Sequence, residues 1–249
     1  MNGEPFTIPF DTAHHAQALY VAPDAPPADV LAALGLPPYR HVVTIHGGAG
    51  NMALDVVGVV QDFLVKGLIP LAEQDHVLIA DGGTDVGVMH AMGAAREQTR
   101  ATFPLVGVTP HRFVRFPGSP TDGEREALNP AHTHFVLVDG DAFGVESALL
   151  VGLLRASRRT GFALVINGGG IVFDEVQRHA AQGNPIVTVR GSGRVADELA
   201  DPNSERRQQL PPDVRLYVAD LRKPQSFMAL AYRLLTGGYA RSHSGIRGR

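Results

Sequence analysis

The sequence contains no cysteine and no tryptophan among its 249 residues. The lack of cysteine excludes disulfide bonds, thiolate catalysis and cysteine-based zinc or iron–sulfur sites. The sequence also has no apolar run of membrane-spanning length, and no basic segment followed by an apolar core stands at its N-terminus. We therefore expect a cytoplasmic protein without a membrane partner.

Charge is sparse and nearly balanced, with 19% charged residues and a net charge of -3. This balance gives no electrostatic reason to expect nucleic acid as a partner. A hydrophobic fraction of 44% and a mean hydropathy of +0.00 instead indicate a compact globular chain that can bury one large core. Basic residues gather in residues 239–249, which we predict to be a flexible tail.

Short apolar segments alternate with helix-like segments from His41 onward. This alternation predicts parallel strands joined by helical crossovers, because parallel strands cannot be connected by tight hairpins. We predict a Rossmann-like, doubly wound α/β fold with a mainly parallel sheet of about seven strands and three layers, α/β/α. The predicted strands are at residues 42–45, 77–80, 105–108, 134–139, 162–166, 185–189 and 214–219.

The remaining N-terminal part, residues 1–40, is mixed in character. A strand is predicted at residues 17–21 and a short helix at 28–36, followed by Pro37. We predict that residues 1–40 are an extension at one edge of the sheet and that 41–238 form one ligand-binding domain. A helix is also predicted from Asn51 to Lys66, ended by Gly67.

Glycine-rich turns follow four of the predicted strands, at residues 47–50, 82–83, 168–170 and 191–193. In doubly wound sheets, ligands bind beyond the C-terminal ends of the strands, where the strand order reverses. Glycine turns that lead into helix N-termini present N–H groups to anions. The four turns therefore predict a crevice that binds a phosphate-bearing ligand.

Side chains near these turns add further candidates. Ser192 is expected to donate a hydrogen bond to phosphate, and Arg194 to bind phosphate through two N–H groups. Asp197 would orient Arg194 or bind a ribose hydroxyl, and His111 falls just beyond a strand end within reach of the crevice. The predicted ligand-binding residues are Gly47, Gly48, Ala49, Gly50, Asn51, Gly82, Gly83, Thr84, Gly87, His111, Gly168, Gly169, Gly170, Gly191, Ser192, Gly193, Arg194 and Asp197.

Several common enzyme motifs are missing. Gly48 to Ala53 fit a relaxed dinucleotide-binding pattern, but the next strand ends at Asp81 in a second glycine turn, which makes hydride transfer a poor fit. No P-loop and no G-x-S-x-G elbow is present. The eleven histidines include His132 and His134, which we place at the opposite end of the sheet in structural roles, so no metal site is predicted.

Four segments, taken in order, resemble a known family. They are Ile45-His46-Gly47-Gly48-Ala49, Ala80-Asp81-Gly82-Gly83-Thr84-Asp85-Val86-Gly87-Val88-Met89, His132-Thr133-His134-Phe135-Val136-Leu137-Val138-Asp139 and Gly191-Ser192-Gly193-Arg194-Val195-Ala196-Asp197. The set resembles the SLOG domain at the N-terminus of TRPM cation channels, in its stand-alone prokaryotic (LSDAT) branch. The resemblance covers about residues 41 to 235 and implies a Rossmann-like fold that senses or processes nucleotide-derived ligands, such as ADP-ribose in some TRPM channels.

The Lonely Guy phosphoribohydrolases, more distant relatives, carry the motif P-G-G-x-G-T-x-x-E. The corresponding segment here runs from Asn167 to Glu175; it keeps two glycines and the Glu, but Asn167, Ile171 and Val172 replace the Pro, the later Gly and the Thr. The resemblance makes Glu175 and Arg194 candidate catalytic residues. These substitutions remove a flexible backbone position and a hydroxyl from the phosphate turn, so they argue against hydrolysis.

Three functions remain open. The first is a sensor that binds ADP-ribose, NAD or a related nucleotide, with no required cofactor. The second is an N-glycoside hydrolase acting on nucleoside monophosphates, with Glu175 assisting bond cleavage and Arg194 or Arg190 holding the 5′-phosphate. The third is a scaffold subunit whose glycine turns are empty and whose crevice is filled by side chains. The family resemblance also implies a homo-oligomer, and we expect Asp81 to support its turn rather than bind ribose.

Overall fold

The computed structural model describes residues 3–48, 50, 52, 54–119 and 125–237. The strands are β1 (Phe6–Pro9), β2 (His15–Val21), β3 (His41–Gly47), β4 (Val77–Asp81), β5 (Leu105–Pro110), β6 (Val114–Arg115), β7 (Glu126–Ala127), β8 (His134–Val138), β9 (Thr160–Ile166), β10 (Ile186–Arg190) and β11 (Leu216–Asp220). The α-helices are α1 (Pro27–Ala33), α2 (Leu54–Phe63), α3 (Ile69–Gln74), α4 (Gly87–Thr99), α5 (Ser147–Ala156), α6 (Gly170–Ala181), α7 (Arg194–Ala200), α8 (Glu205–Gln208) and α9 (Pro224–Leu235).

One sheet of nine strands organises the described residues, in the order β1-β2-β8-β5-β4-β3-β9-β10-β11. Every neighbouring pair in it is parallel except β1 with β2. The order reverses between β3 and β9, which places the switch point of a doubly wound fold there. The predicted fold is confirmed, and all seven predicted main strands are present.

The N-terminal segment adds two strands to one side of this sheet. β2, predicted from the sequence, pairs with β8, and β1 then pairs antiparallel with β2 as an additional strand that the sequence pattern did not predict. β1 is short and alternates in burial, so its pattern is weaker than that of the central strands. The proposed division of the chain at residue 40 stays a prediction, and the predicted tail at 239–249 lies outside the described residues.

Helices cover both faces of the sheet because neighbouring strand residues face opposite sides. Val43 and Ile45 pack in a cluster with α2, α3, α4 and α9, whereas Val42 packs in a cluster with α1 and α5. A third cluster joins α6 and α7 to β9 and β10. The result is the predicted three-layer arrangement, and none of the helices in the described ranges is both long and apolar enough to cross a bilayer.

The predicted helix end at Gly67 is wrong. The chain continues through a π-helical turn, Leu64–Leu68, directly into α3. A Cβ on Gly67 would lie 2.9 Å from the Phe227 ring and 3.1 Å from the Pro224 carbonyl oxygen in α9. The glycine therefore allows close helix packing rather than ending the helix, a role that local sequence cannot distinguish.

Candidate functional site

A cavity of about 330 Å³ lies at the C-terminal end of the sheet, beside the switch point. Its walls come from the ends of β3 and β5, the turn after β4, and the first residues of α5, α6 and α7. This volume is in the range of small-molecule pockets. The lining residues are Ile45, His46, Gly47, Gly48, Gly82, Thr84, Met89, Val108, Thr109, Glu126, Phe143, Glu146, Leu150, Gly169, Gly170, Ile171, Val172, Glu175 and Arg194.

The structure brings part of the predicted site to this cavity. The predicted residues that line it are Gly47, Gly48, Gly82, Thr84, Gly169, Gly170, Glu175 and Arg194. The predicted residues that the structure describes but that do not line it are Gly50, Gly83, Gly87, His111, Gly168, Gly191, Ser192, Gly193 and Asp197. Ala49 and Asn51 lie outside the described residues.

The N-terminus of α6 is the part of the cavity best suited to an anion. Among the described residues no side chain caps this 12-residue helix, and its first residues, from Gly170 to Val172, line the cavity. The N–H groups of a first turn have no partner within the helix, and they lie at the positive end of the helix dipole. Gly169, just before the helix, has backbone dihedrals in the extended region.

Arg194 lies next to this helix end. It is exposed, and its guanidinium Nη2 lies 3.0 Å from the position that a Cβ on Gly169 would occupy. Its side chain has no hydrogen-bond or ion-pair partner among residues 3–48, 54–119 and 125–237. Because Arg194 has a positive φ of 53°, its backbone is in a region that costs a non-glycine residue energy. The Arg194 guanidinium and the N–H groups at the start of α6 therefore lie on the wall of the same cavity.

The N-termini of α4 and α7 are already used by carbonyl groups. Val88 N–H donates to the Gly48 carbonyl at 3.2 Å, and Ala196 N–H donates to the Asn167 carbonyl at 3.0 Å. These bonds hold the helices against neighbouring glycine turns. The capacity to bind an anion is therefore concentrated at α6 and Arg194 rather than spread over four turns.

Asn167 links the turns that follow β9 and β10. Its Oδ1 accepts from Gly168 N–H at 2.8 Å, and its Nδ2 donates to the Ser192 carbonyl at 2.7 Å. Asn167 has a φ of 59°, which asparagine tolerates better than most residues. The residue that replaces the Pro of the Lonely Guy motif is thus a structural link between two turns.

The predicted roles of Ser192 and Asp197 need correction. Ser192 Oγ donates to the Val189 carbonyl at 2.7 Å and accepts from Asn167 N–H at 2.8 Å, so its proton is used within the protein. Asp197 Oδ1 accepts from Gly191 N–H at 2.6 Å. Both side chains shape the turn after β10 instead of reaching into the cavity.

His111, Gly83 and Gly87 also have roles away from the cavity. His111 Nδ1 donates to the Val138 carbonyl at 3.3 Å, and its ring packs edge-on against Tyr20. A Cβ on Gly83 would lie 2.8 Å from Gly107 Cα, so this glycine permits contact between neighbouring turns and strands. Gly87, with a φ of 58°, begins α4.

Glu175 is held in a buried hydrogen-bond network on the cavity wall. Its Oε2 accepts from His46 Nδ1 at 2.8 Å, and its Oε1 accepts from Ser147 Oγ at 2.6 Å. The network continues because His179 Nε2 lies 2.8 Å from His46 Nε2, and Asn184 Nδ2 donates to His179 Nδ1 at 2.9 Å. Burial, followed by the proximity of His46, lowers the pKa of His179 well below 6.5, so this ring is neutral.

These hydrogen bonds determine which ring nitrogen of His179 and of His46 carries the proton. The bond from Asn184 places the proton of neutral His179 on Nε2, where it points to His46 Nε2. His46 then carries its own proton on Nδ1 and donates it to Glu175. Glu175 therefore accepts hydrogen bonds from two side-chain donors, His46 and Ser147.

Glu146, at the start of α5, is the second buried carboxyl group on the cavity wall. Its exposed fraction is 9%, and its Oε2 accepts from Gly144 N–H at 2.8 Å. Burial raises its pKa to about 7; two backbone hydrogen bonds oppose this shift, and the Glu175 carboxylate adds to it. At neutral pH, Glu146 thus holds a proton about half of the time, unlike an ordinary glutamate.

Two threonine hydroxyls and several apolar side chains complete the walls. Thr84 Oγ1 and Thr109 Oγ1 are buried without a hydrogen-bond partner in the described chain. Met89, Val108, Leu150 and Phe143 line the cavity beside them. Thr109 and Phe143 belong to no glycine turn, so the sequence pattern does not mark them as residues of the site.

Asp81 supports the turn after β4, as predicted. Its Oδ1 accepts from Gly83 N–H at 2.8 Å and lies 2.8 Å from His132 Nε2, with both side chains fully buried. The predicted position of His132, at the end of the sheet opposite the glycine turns, is wrong. His132 reaches Asp81 because the strands are staggered, so that Asp81, Gly107 and Phe135 share one level.

The chain is a Rossmann-like α/β domain with a cavity at the switch point of its sheet. Residues 40–229 match the family described as SLOG in TRPM, prokaryote. The match covers more than half of the chain, so the chain belongs to this family.

The similar curated proteins are channels. The chain is 25% identical over 244 residues to a transient receptor potential channel of Caenorhabditis elegans, covering 82% of this chain and 12% of the channel. It is 25% identical over 197 residues to rat transient receptor potential cation channel subfamily M member 2, covering 64% of this chain and 13% of the channel. It is 28% identical over 197 residues to human subfamily M member 7, covering 64% and 10% respectively. The chain thus spans about an eighth or less of the length of these relatives.

Proposed function

We propose that the cavity binds a nucleotide-derived ligand such as ADP-ribose or NAD and that the protein is a sensor of this ligand. The observation that carries the proposal is the N-terminus of α6, which has no side-chain cap in the described residues and lies next to the guanidinium of Arg194, itself without a partner there, on the cavity wall. Helix N–H groups and an arginine side chain are a common combination for phosphate. Membership of the SLOG family adds support, because the resemblance implies ligands of this class.

The geometry changes where we expect the phosphates. The sequence predicts phosphate contacts at residues 47–51, 82–84 and 191–194. The proposal keeps Arg194 from these ranges and adds Gly169 and Gly170 at the start of α6, while Gly47 and Gly48 allow the ligand to approach β3 closely. The open cavity also favours binding over the scaffold alternative, for which a cavity filled by side chains was expected.

Isothermal titration calorimetry with ADP-ribose, NAD, cyclic nucleotides and AMP tests the proposal. A ligand that binds only the folded protein adds about 1.4 kcal/mol of stability for each tenfold excess over Kd, so thermal unfolding provides a second readout. Binding of at least one of these compounds is expected. Absence of both heat and thermal stabilisation with all of them would contradict the proposal.

A second candidate function is hydrolysis of an N-glycosidic bond in a nucleotide. The observation that favours it is that Glu175 and Glu146 line the same cavity as Arg194. Two carboxyl groups with different ionisation are a common arrangement for acid–base chemistry. In this reaction water would add to the ribose C1′, the C1′–N bond would break, and the base would leave with a proton, while Arg194 holds the 5′-phosphate.

Chromatographic detection of free base tests hydrolysis. The protein is incubated with AMP, other nucleoside monophosphates or NAD, and the Glu175→Gln variant is the matched control. Base release that disappears in the variant supports a role for Glu175, whereas undiminished release removes Glu175 from the mechanism.

A homo-oligomeric state and a cytoplasmic location stay predictions; light scattering after gel filtration measures the oligomeric state.

A further inference from the structure

Glu146 and Glu175 share one cavity wall, but their surroundings differ. Two side-chain donors, His46 Nδ1–H and Ser147 Oγ–H, bind Glu175. Within the described residues, no side chain donates to Glu146, whose carboxylate has only backbone N–H groups near it. Because two buried carboxylates close together cannot both be charged at low cost, the proton belongs on the less supported one. That one is Glu146.

The wall around Glu146 is unsuited to a charge. Val108 and Leu150 are buried apolar residues that line the cavity with it, and Phe143 from the preceding loop is half exposed there. A protonated carboxyl group is a hydrogen-bond donor, whereas the ionised form can only accept. In an apolar environment a neutral donor selects a ligand atom with a free lone pair.

We propose that protonated Glu146 donates a hydrogen bond to an acceptor atom of the ligand's nucleobase and so selects an uncharged heteroaromatic ring for this part of the cavity. The inference rests on the proposed function, which places the ligand's phosphates at α6 and Arg194. It adds an assignment of the other half of the ligand, with Thr84 and Thr109 as polar side chains of the same cavity that lack a hydrogen-bond partner among the described residues.

The other charged or titratable groups on the cavity wall are few. They are His46 on β3, Glu126 on β7, Glu175 on α6 and Arg194 on α7. Burial is the main cause of the raised pKa of Glu146, and among these four groups it is the charge of Glu175 that adds to it. His46 donates its Nδ1–H to Glu175. Glu205, exposed on α8 and outside the cavity, provides the control carboxyl group.

The proposal predicts that affinity falls as Glu146 loses its proton. If the protonated form alone binds, the apparent Kd rises about tenfold for each pH unit above pH 7. ADP-ribose and NAD are suitable probes, because a pyrophosphate diester does not change its charge between pH 6 and pH 8.5. A terminal phosphate, with a second pKa of about 6, would add its own pH dependence.

Calorimetry with ADP-ribose and NAD at pH 6, 7, 8 and 8.5 tests the proposal in the full chain. Wild-type protein and Glu205→Gln should both bind more weakly as the pH rises, by about tenfold per unit above pH 7. Glu146→Gln keeps a donor of similar shape, so its affinity should be retained and independent of pH. Glu146→Leu should bind weakly throughout, at the level of wild type at high pH.

Two results would overturn the assignment while leaving the proposed function intact. One is wild-type binding that does not change with pH, and the other is Glu146→Gln with the same pH dependence as wild type. Failure of wild type to bind at every pH would instead contradict the proposed function and the nucleobase contact together.

A ligand-independent measurement completes the test. Carbon-13 NMR of glutamate-labelled protein should show one carboxyl resonance that titrates near pH 7 and is absent in Glu146→Gln. If no carboxyl group titrates there, Glu146 does not hold the proton and the assignment is wrong.

Discussion

His46 donates its Nδ1–H to Glu175 Oε2 over 2.8 Å, and both side chains are almost fully buried while lining the same cavity. The contact joins the end of β3 to α6, across the switch point of the sheet. It depends on His179, which fixes the position of the His46 proton from the other side. His46 thus donates a hydrogen bond to the candidate catalytic carboxylate although the two residues are 129 positions apart in sequence.

We predict that His46→Leu destabilises the protein by roughly 2–4 kcal/mol, because it leaves a buried carboxylate with one donor fewer. Adding Glu175→Gln to this variant should recover part of the loss, since the amide carries no charge. Ser147→Ala, which removes the other donor, should cost about 1–2 kcal/mol. Urea unfolding followed by circular dichroism measures all three, and no recovery in the double variant would contradict the assignment of charge to Glu175.

Arg194 and Arg190 offer a matched pair for ligand binding. Both are exposed and both flank the turn after β10, but Arg194 lines the cavity and Arg190 does not. Arg194→Gln should weaken binding of ADP-ribose about tenfold to a hundredfold, the loss of one charge-assisted contact to phosphate. Arg190→Gln should leave Kd within about twofold of wild type. Equal effects in calorimetry would place the phosphate elsewhere.

Gly83 and Gly170 differ in whether their positions can accept a side chain. Gly83 has a φ of 71° and an added Cβ would lie 2.8 Å from Gly107 Cα, whereas Gly170 has no atom within 4 Å of that position. Gly83→Ala should therefore cost roughly 3 kcal/mol or more, the sum of strain and overpacking. Gly170→Ala should change the free energy of unfolding by less than about 1 kcal/mol. Thermal unfolding compares the two, and similar losses would contradict the difference.

The strand–turn–helix alternation was enough to predict the fold, because buried parallel strands give continuous apolar runs that few other structures produce. Errors occurred where a distant contact decides a residue's role. Gly67 ends no helix because α9 packs against it, and His132 meets Asp81 because of the sheet's stagger. Neither contact is encoded within a local window.

The site was predictable in part for the same reason. Glycine turns mark the C-terminal end of the sheet, so Gly48, Gly169 and Arg194 were found. The sequence could not show that Ser192 Oγ donates its hydrogen bond to the Val189 carbonyl, because this bond depends on the conformation of the turn. The raised pKa of Glu146 could not be predicted either, since it results from burial and from the carboxylate of Glu175 on another helix.

The pH dependence of stability provides a test of Glu146 that needs no ligand. Its pKa is about 7 in the folded protein and 4.5 as the ordinary value, so the folded state holds a proton between these values that the unfolded state has lost. Its stabilising contribution is therefore present below pH 4.5 and is lost as pH rises towards 7. Glu146→Gln removes this dependence and should become more stable than wild type by roughly 3 kcal/mol above pH 7, relative to their difference at pH 4.5.

Burial lowers the pKa of His134 to about 4, and burial and His46 lower that of His179, so acid destabilises the fold as the unfolded chain takes up protons below about pH 6.5. These histidines are common to wild type and variant, so their contributions cancel in the difference. Guanidinium unfolding at pH 5, 6, 7 and 8 measures it, with Glu126→Gln as the exposed control that should follow wild type. If the difference between wild type and Glu146→Gln does not grow between pH 5 and pH 7, Glu146 ionises as an ordinary glutamate, and the apolar wall of the cavity does not hold a proton there.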